Sequence, residues 1–225
     1  MSEMKIKAAK KAVEYVEDGM VLGLGTGSTT KFAVDEIGKL VANGYDLVGI
    51  PTSIETEKQA RSLNIPLTDL ECVDHIDLTI DGADEVDPNF NLIKGLGGAL
   101  LREKIVAYYS QKEIIIVDSS KIVNVLGTRV SLPVEVIQFS HKKTKEALER
   151  LGCVAKLCGA EVPFVTDNGN YIYDCKFTSI LEPYGLESRL NSIPGVVENG
   201  LFLDLASHVV IGTENETRIL EKKAD

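Results

Sequence analysis

The chain has 225 residues, of which 44% are hydrophobic, and it carries a formal net charge of −10 at pH 7. This length allows one large domain, or one domain with a smaller second one. The negative charge argues against nucleic acid or an anionic membrane as the main partner, and no apolar run approaches the roughly 20 residues of a membrane span. The N-terminal residues lack the apolar core of a signal peptide, so the sequence predicts a cytoplasmic protein.

The cysteines indicate neither a metal site nor a disulfide framework. Cys72, Cys153, Cys158 and Cys175 form no Cys-x-x-Cys pair, and the histidines are scattered along the chain. Zinc ligands usually stand closer together in sequence. We therefore expect buried free thiols in a reducing compartment and no bound metal.

The first half of the chain alternates between strand and helix patterns. Apolar strands are predicted at residues 20–25, 46–52, 76–80 and 113–118. Helices are predicted at residues 3–17, 31–44, 54–64 and 98–110, with a capping box of Thr52 and Glu55 opening the third. Such alternation is typical of right-handed βαβ units and a mainly parallel sheet, so the predicted fold class is α/β.

After Gly127 the order of elements changes. The pattern predicts a strand at 132–137, a helix at 141–152, a strand at 153–158, a hairpin over 164–175, a helix at 186–195 and a strand at 196–203. This β-α-β-β-α-β order is ferredoxin-like. We predict a smaller α+β domain at residues 129–202, inserted into an α/β domain of residues 1–128 and 203–225. Residues 208–220 are expected to return to the first sheet.

A loop of glycines and hydroxyls, GLGTGSTT at residues 23–30, joins the first strand to the next helix. Glycines permit a tight turn, and the N–H groups of a helix N-terminus suit an anion. A dinucleotide fingerprint would need glycine at Ser28 or Thr30, and a P-loop would need lysine at Ser28. A small phosphomonoester therefore fits better than a nucleotide, with a plain turn of N-capping hydroxyls as the alternative.

The stretch IDGADEVDPNFNLIKGLGGALLRE places several ionisable groups after an apolar strand. Asp81, Asp84 and Glu85 are predicted in one short turn, Lys94 precedes a glycine-rich run, and Glu103 lies inside the next helix. The carboxyl ends of strands are where α/β sheets bind ligands. Carboxylates that move protons, with a lysine and backbone amides for developing negative charge, suit carbon-acid chemistry.

Two other interpretations of this stretch are structural. A calcium-binding EF-hand beginning at Asp87 would have Leu92 where glycine is required and Gly98 where glutamate is required, so that pattern fails. A solvated acidic turn with a surface lysine and a surface glutamate is the other alternative. Its position directly after an apolar strand weighs against it.

The chain resembles the type A family of ribose-5-phosphate isomerases over nearly its whole length. The matching segments are GLGTGSTT (23–30), IDGADEVD (80–87), IKGLGGALLREK (93–104), LPVEV (132–136), VTDNGN (165–170) and IPGVVENGLF (193–202). The resemblance implies a Rossmann-like domain with an inserted ferredoxin-like domain, no metal or cofactor, and a homodimer or homotetramer. It also implies interconversion of D-ribose 5-phosphate and D-ribulose 5-phosphate through a cis-enediolate.

The same resemblance implies roles for individual residues. Glu103 would be the catalytic base, acting with Asp81 and Lys94. The substrate-binding residues would be Thr26, Gly27, Ser28, Thr29, Asp81, Gly82, Ala83, Asp84, Lys94, Gly95, Leu96, Gly97, Lys121 and Lys5. Leu96 stands where the family has glycine, a change that leaves backbone donation intact.

Two other functions compete with this interpretation. An amino-sugar phosphate deaminase would be expected to need a histidine near the catalytic acids, and His75 precedes the buried strand. A sugar-phosphate sensor would need a DNA-binding module, for which this acidic chain offers no basic patch. A sensor would also have no use for Glu103.

Overall fold

The structure is a computed structural model that describes residues 2–159 and 161–222. The chain divides into two compact units. The first comprises Met1–Ala83, Arg102–Ile122 and Asp204–Asp225, and the second comprises Asp84–Leu101 and Val123–Leu203. The domain boundaries predicted from the sequence, 129 and 202, stay a prediction.

The described residues form the predicted helices and longer strands, together with several short strands. The helices are α1 (Ser2–Val13), α2 (Thr30–Ala42), α3 (Ile54–Ser62), α4 (Leu100–Tyr108), α5 (His141–Glu149) and α6 (Pro183–Asn191). The strands are β1 (Val21–Leu24), β2 (Val48–Pro51), β3 (Leu78–Gly82), β4 (Glu85–Val86), β5 (Leu92–Ile93), β6 (Glu113–Asp118), β7 (Leu132–Val136), β8 (Val154–Leu157), β9 (Tyr171–Lys176), β10 (Val196–Asn199), β11 (Leu201–Phe202), β12 (His208–Gly212) and β13 (Thr217–Glu221).

The first unit is built on a sheet with the strand order β13-β12-β6-β3-β1-β2. All neighbouring strands are parallel except β13, which pairs antiparallel with β12 at the edge. The predicted mainly parallel sheet, and the return of residues 208–220 to it, are thereby confirmed. Since β2 and β3 flank β1 on opposite sides, the winding reverses between β1 and β3. In open α/β sheets such a switch point is where ligands bind.

Two local predictions in the first unit are wrong. α1 ends at Val13 rather than at residue 17, because Tyr15 and Val16 donate to carbonyls three residues back instead of four. The N-cap of α3 is Ser53, whose side chain accepts the Thr56 N–H at 3.0 Å. Thr52 precedes this cap, and its side chain donates to the Leu24 carbonyl at 3.1 Å.

The second unit contains an antiparallel sheet with the strand order β10-β7-β9-β8. Leu148 of α5 and Leu186 and Leu190 of α6 pack in one hydrophobic cluster with residues of this sheet. This confirms the ferredoxin-like arrangement. The predicted hairpin over 164–175 is reduced to a single bridge between Val165 and Tyr171, because β9 pairs along its length with β7 and β8 instead.

The strand predicted at residues 196–203 is split at Gly200. β10 pairs with β7, whereas β11 joins a separate small sheet of order β11-β5-β4. The Lys94 N–H donates to the Gly200 carbonyl at 2.9 Å, and the Gly200 N–H donates to the Pro133 carbonyl at 2.8 Å. A Cβ at Gly200 would lie 2.3 Å from the Lys94 carbonyl oxygen, so only glycine fits this crossing.

Candidate active site

The turn after β1 wraps around the carboxylate of Asp81, at the switch point of the parallel sheet. Asp81 is fully buried, and its Oδ1 accepts the N–H groups of Thr26 at 3.2 Å and Gly82 at 2.7 Å. A Cβ at Gly25 would lie 2.2 Å from the same oxygen. The glycine at position 25 therefore makes room for the aspartate, a role that the sequence did not reveal.

Asp81 is a strand residue rather than part of a turn, which corrects the sequence prediction. Within β3 it pairs in register with Ile115, and Gly82 pairs with Ile116. Glu85 is separated from it as well, because it begins β4. The buried Glu85 carboxylate accepts backbone N–H groups of Gly127, Arg129 and Val130 in the second unit, which indicates a structural role.

A cluster of hydroxyl groups fixes the turn that holds Asp81. The Thr26 hydroxyl lies 2.7 Å from that of Thr52, 2.8 Å from that of Ser53 and 3.1 Å from that of Thr56. The Thr56 hydroxyl in turn donates to the Gly25 carbonyl at 3.0 Å. Thr52, Ser53 and Thr56 were not predicted as site residues, because they follow a different strand from Thr26.

The exposed end of the turn presents hydroxyl and ammonium groups beside the N-terminus of α2. Lys5 of α1 donates to the Ser28 hydroxyl at 2.8 Å, so the structure brings together two residues predicted to bind phosphate. Thr29 is the N-cap residue of α2, yet its side chain makes no capping hydrogen bond. The alternative of N-capping hydroxyls therefore does not account for Thr29.

Lys121 lies at the same carboxyl edge of the sheet. It ends a short 3₁₀ turn, Ser119–Lys121, which follows β6 directly. The turn is held by the buried carboxylate of Asp118, which accepts the Ser120 N–H at 2.9 Å. Because β6 is the neighbour of β3 in the sheet, Lys121 follows the strand next to the one that carries Asp81.

Glu103 lies in the first turn of α4. Its side chain is 4% exposed, which is unusual for a helix glutamate and excludes the surface charge considered as an alternative. Burying a carboxylate costs free energy unless the group is paired or hydrogen-bonded, so proteins seldom bury one without a reason. The structure therefore supports a specific role for this residue.

Lys94 in the second unit is also buried, with 2% of its side chain exposed. It directly follows β5, and its ammonium nitrogen lies 5.2 Å from the centre of the Phe202 ring in β11. A cation over an aromatic face is stabilised by the ring quadrupole, most strongly away from water. Phe202 was not predicted as a site residue, since nothing in the sequence links it to Lys94.

The glycine loop after Lys94 is ordered by its own hydrogen bonds. The Gly98 N–H donates to the Gly95 carbonyl at 2.9 Å, and both glycines have positive φ angles. The Asp84 carboxylate accepts the Leu96 N–H at 3.1 Å. Asp84 thereby fixes the loop, and Leu96 itself is exposed.

Over residues 2–159 and 161–222, no three His, Cys, Asp or Glu side chains are placed to hold a metal ion. The four cysteines are free, but only Cys153 and Cys175 are buried, whereas Cys72 is exposed, which corrects the expectation of four buried thiols. Among the same described residues, no helix has the length and apolar character needed to cross a membrane.

The fold and the candidate site define an α/β enzyme, in which Asp81, Lys121 and the turn after β1 lie at the carboxyl edge of the parallel sheet. The model of the family ribose 5-phosphate isomerase A (phosphoriboisomerase A) matches residues 48–216. The chain belongs to this family.

Curated relatives match nearly the whole chain. Ribose-5-phosphate isomerase A of Parvibaculum lavamentivorans is 49% identical over 97% of this chain and 98% of its own. The enzyme of the same name from Thermococcus kodakarensis is 46% identical, covering 99% of both.

Solved structures show the same fold. A D-ribose-5-phosphate isomerase in complex with phospho-erythronic acid is 45% identical, with 97% of this chain and 98% of that chain covered and a TM-score of 0.94. Ribose 5-phosphate isomerase from Plasmodium falciparum is 43% identical over the whole of both chains, also with a TM-score of 0.94.

Proposed function

We propose that this chain interconverts D-ribose 5-phosphate and D-ribulose 5-phosphate, the aldose–ketose isomerisation of the non-oxidative pentose phosphate pathway. The observation that carries the proposal is the near full-length similarity to enzymes named for this reaction, 49% identity over 97% of the chain. The buried ionisable side chains of Asp81, Lys94 and Glu103 support it, because the reaction needs a base and groups that stabilise an oxyanion.

Glu103 is the base in this proposal. The C2 proton of an aldose is too weakly acidic to leave unaided, and a positioned carboxylate accelerates its transfer by roughly 10²–10⁴-fold. Glu103 takes the proton from C2 and returns it to C1 of the cis-enediolate. Its burial keeps bulk water from competing for the proton.

Lys94 and the glycine loop stabilise the negative charge that develops on the enediolate oxygens. Donors fixed in advance each contribute roughly 10²–10³-fold to such a step. Since the Leu96 N–H is engaged by Asp84, the amides of Gly95 and Gly97 are the donors in this proposal. Asp84 also orients substrate hydroxyls, and Asp81 assists ring opening and the movement of hydroxyl protons.

The phosphate is bound by the turn after β1 and by two lysines. Thr26, Gly27, Ser28 and Thr29 supply hydroxyl and backbone donors at the N-terminus of α2. Lys5 and Lys121 supply positive charge, and Gly82 and Ala83 line the sugar. Binding energy from the phosphate, which does not react, positions the reacting carbons.

The ligand of a solved relative supports an enediolate. Phospho-erythronic acid, bound in the 45% identical structure, carries a planar carboxylate with two oxygens and a negative charge. The cis-enediolate is likewise planar, with two oxygens on adjacent carbons. Donors that bind both carboxylate oxygens would also suit both oxygens of the enediolate, which are the roles proposed for Lys94 and the loop amides.

The remaining features of the proposal concern the whole protein. Residues 1–128 and 203–225 form the catalytic domain, and residues 129–202 form the inserted domain. The enzyme works in the cytoplasm as a homodimer or homotetramer, and neither nucleic acid nor membrane is a partner. The chemistry needs no metal or cofactor, because protonic groups supply every step.

One assay separates this function from its competitors. The purified protein, dialysed against a chelator, is given ribose 5-phosphate, and ribulose 5-phosphate formation is followed. A deaminase would instead release ammonia from an amino-sugar phosphate, and a sensor would bind the sugar without turnover. His75 argues against the deaminase, since it precedes β3 and pairs with Asp77 at 3.1 Å. Absence of ribulose 5-phosphate would contradict the proposal.

A further inference from the structure

The second unit buries a carboxylate, Glu135, that has no part in the proposed chemistry. Glu135 lies in β7 and is fully buried. Its Oε1 accepts the Thr166 hydroxyl and the Asn170 side-chain amide, both at 2.9 Å. Hydrogen bonds to a buried carboxylate are stronger than those between neutral groups, so Glu135 holds both ends of one turn firmly.

The turn at residues 166–170 is closed by its own backbone. The Thr166 N–H donates to the Asn170 carbonyl at 2.9 Å, and the Gly169 N–H donates to the Thr166 carbonyl at 2.9 Å. Gln138 adds a third attachment, because its side chain donates to the Gly169 carbonyl at 2.8 Å. The turn is therefore a rigid element attached to β7, although it lies outside the regular sheet.

Phe164, two residues before this turn, packs against the glycine loop. A Cβ at Gly98 would lie 2.4 Å from two carbons of the Phe164 ring, so the ring occupies the space that any side chain at Gly98 would need. The Phe164 N–H donates to the Cys158 carbonyl at 2.9 Å, which fixes the backbone behind the ring. Gly98 in turn closes the loop onto Gly95.

We propose that Phe164 is a positioning residue that holds the Gly95–Gly98 loop in its donor geometry, and that Glu135 anchors it through the 166–170 turn. This inference rests on the proposed function, in which the loop amides stabilise the enediolate. Glycines leave a loop free to move, and a displacement of about 1 Å costs about 100-fold in rate. A ring packed on Gly98 removes that freedom.

The test compares Phe164→Ala with Val162→Ala, a truncation in the same segment at a side chain that is 78% exposed. We expect Phe164→Ala to lower kcat by about tenfold and to change KM by no more than about twofold, because the phosphate site is untouched. Phe164→Leu keeps an apolar contact with Gly98 and should retain more activity than the alanine variant. Val162→Ala should match the wild type.

A binding readout separates positioning from general damage. Phospho-erythronic acid needs donors for its carboxylate, whereas erythritol 4-phosphate carries an alcohol there and the same phosphate. Phe164→Ala should weaken inhibition by the acid about tenfold and leave inhibition by the alcohol unchanged. Glu135→Ala should act in the same direction, and Glu135→Gln should restore activity, because the glutamine oxygen still accepts both hydrogen bonds.

The possible outcomes distinguish failure of this inference from failure of the proposed function on which it rests. Wild-type protein that fails to turn over ribose 5-phosphate contradicts the proposed function. If the wild type is active but Phe164→Ala has unchanged kinetics, the positioning role alone is overturned. The same holds if Phe164→Ala weakens inhibition by the acid and by the alcohol equally. If Glu135→Ala does not fold, the kinetics and inhibition of Phe164→Ala test the inference alone, because Phe164 is partly exposed.

Discussion

The ammonium group of Lys94 lies over the ring of Phe202, 5.2 Å from its centre, and both side chains are almost completely buried. Phe202 reaches this position because β11 pairs with β5, the strand that Lys94 follows. A buried ammonium loses its hydration, and the ring face partly replaces it. The aromatic ring therefore helps to hold the Lys94 ammonium group in place.

Replacing Phe202 by leucine should lower kcat with little change in KM. A cation–π contact away from water is worth about 2 kcal/mol, so we expect a loss of about 30-fold. Phe139→Leu is the matched control, because Phe139 is 82% exposed. Steady-state kinetics of both variants, with thermal unfolding to verify folding, measure the effect. Equal activity of the two variants would show that the Phe202 ring contributes only to packing.

Gly25→Ala should abolish most activity, with thermal unfolding measured to verify that the variant still folds. The new Cβ would lie 2.2 Å from Oδ1 and 2.6 Å from Cα of Asp81, so the carboxylate and the adjacent strand backbone must both move. A displaced catalytic group costs about 100-fold in kcat. The control is Gly185→Ala in α6, where the nearest atom to the new Cβ is 3.9 Å away. That variant should keep full activity, and Gly25→Ala with normal kcat would remove Asp81 from the mechanism.

Lys5→Ala should raise KM for ribose 5-phosphate and leave kcat nearly unchanged, because Lys5 joins Ser28 at the proposed phosphate site. Lys7→Ala removes the same charge from the same helix, where Lys7 pairs with Glu3 at 3.3 Å. The comparison separates a local contact from a general loss of positive charge. KM should also depend less on salt in Lys5→Ala. An equal rise of KM in both variants would exclude a specific role for Lys5.

The larger elements could be predicted from the sequence because their signals are local. The fully buried strand β6, Glu113–Asp118, is an unbroken apolar run except at its ends, and it was predicted with its observed bounds. The family-like segments likewise located Asp81, Lys94 and Glu103, all of which are buried. Hydrophobic periodicity was sufficient to predict the longer elements, and the order of the motifs was sufficient to locate these three residues.

The short strands and the supporting residues could not be predicted in the same way. β4, β5 and β11 have two residues each, too few for any periodicity, and they exist only because they pair with one another. The contact of Phe164 with Gly98 depends on a turn anchored by Glu135, far away in the chain. Such relationships arise from tertiary packing, which one sequence does not display.

His208 should make the protein less stable as the solution becomes acidic. Burial lowers the pKa of His208 below its ordinary value of 6.5, the nearby Lys112 lowers it further, and Glu221 opposes them in part. The unfolded chain then takes up a proton before the folded one does, so the free energy of unfolding falls as the pH drops below about 6.5. Urea unfolding of wild type and His208→Gln between about pH 5 and 8 measures this. An identical pH dependence in both would contradict the prediction.

The sharpest prediction concerns Glu103, buried in the first turn of α4. Glu103→Gln keeps the size of the side chain but cannot accept the C2 proton, so kcat should fall by at least about 100-fold while substrate binding persists. Hydrogen exchange between solvent and C2 of the substrate should disappear in parallel, since it reports the same proton abstraction. Asp81→Asn is the comparison. If Glu103→Gln keeps near-normal turnover and exchange while Asp81→Asn loses both, then Asp81 is the base and Glu103 only assists.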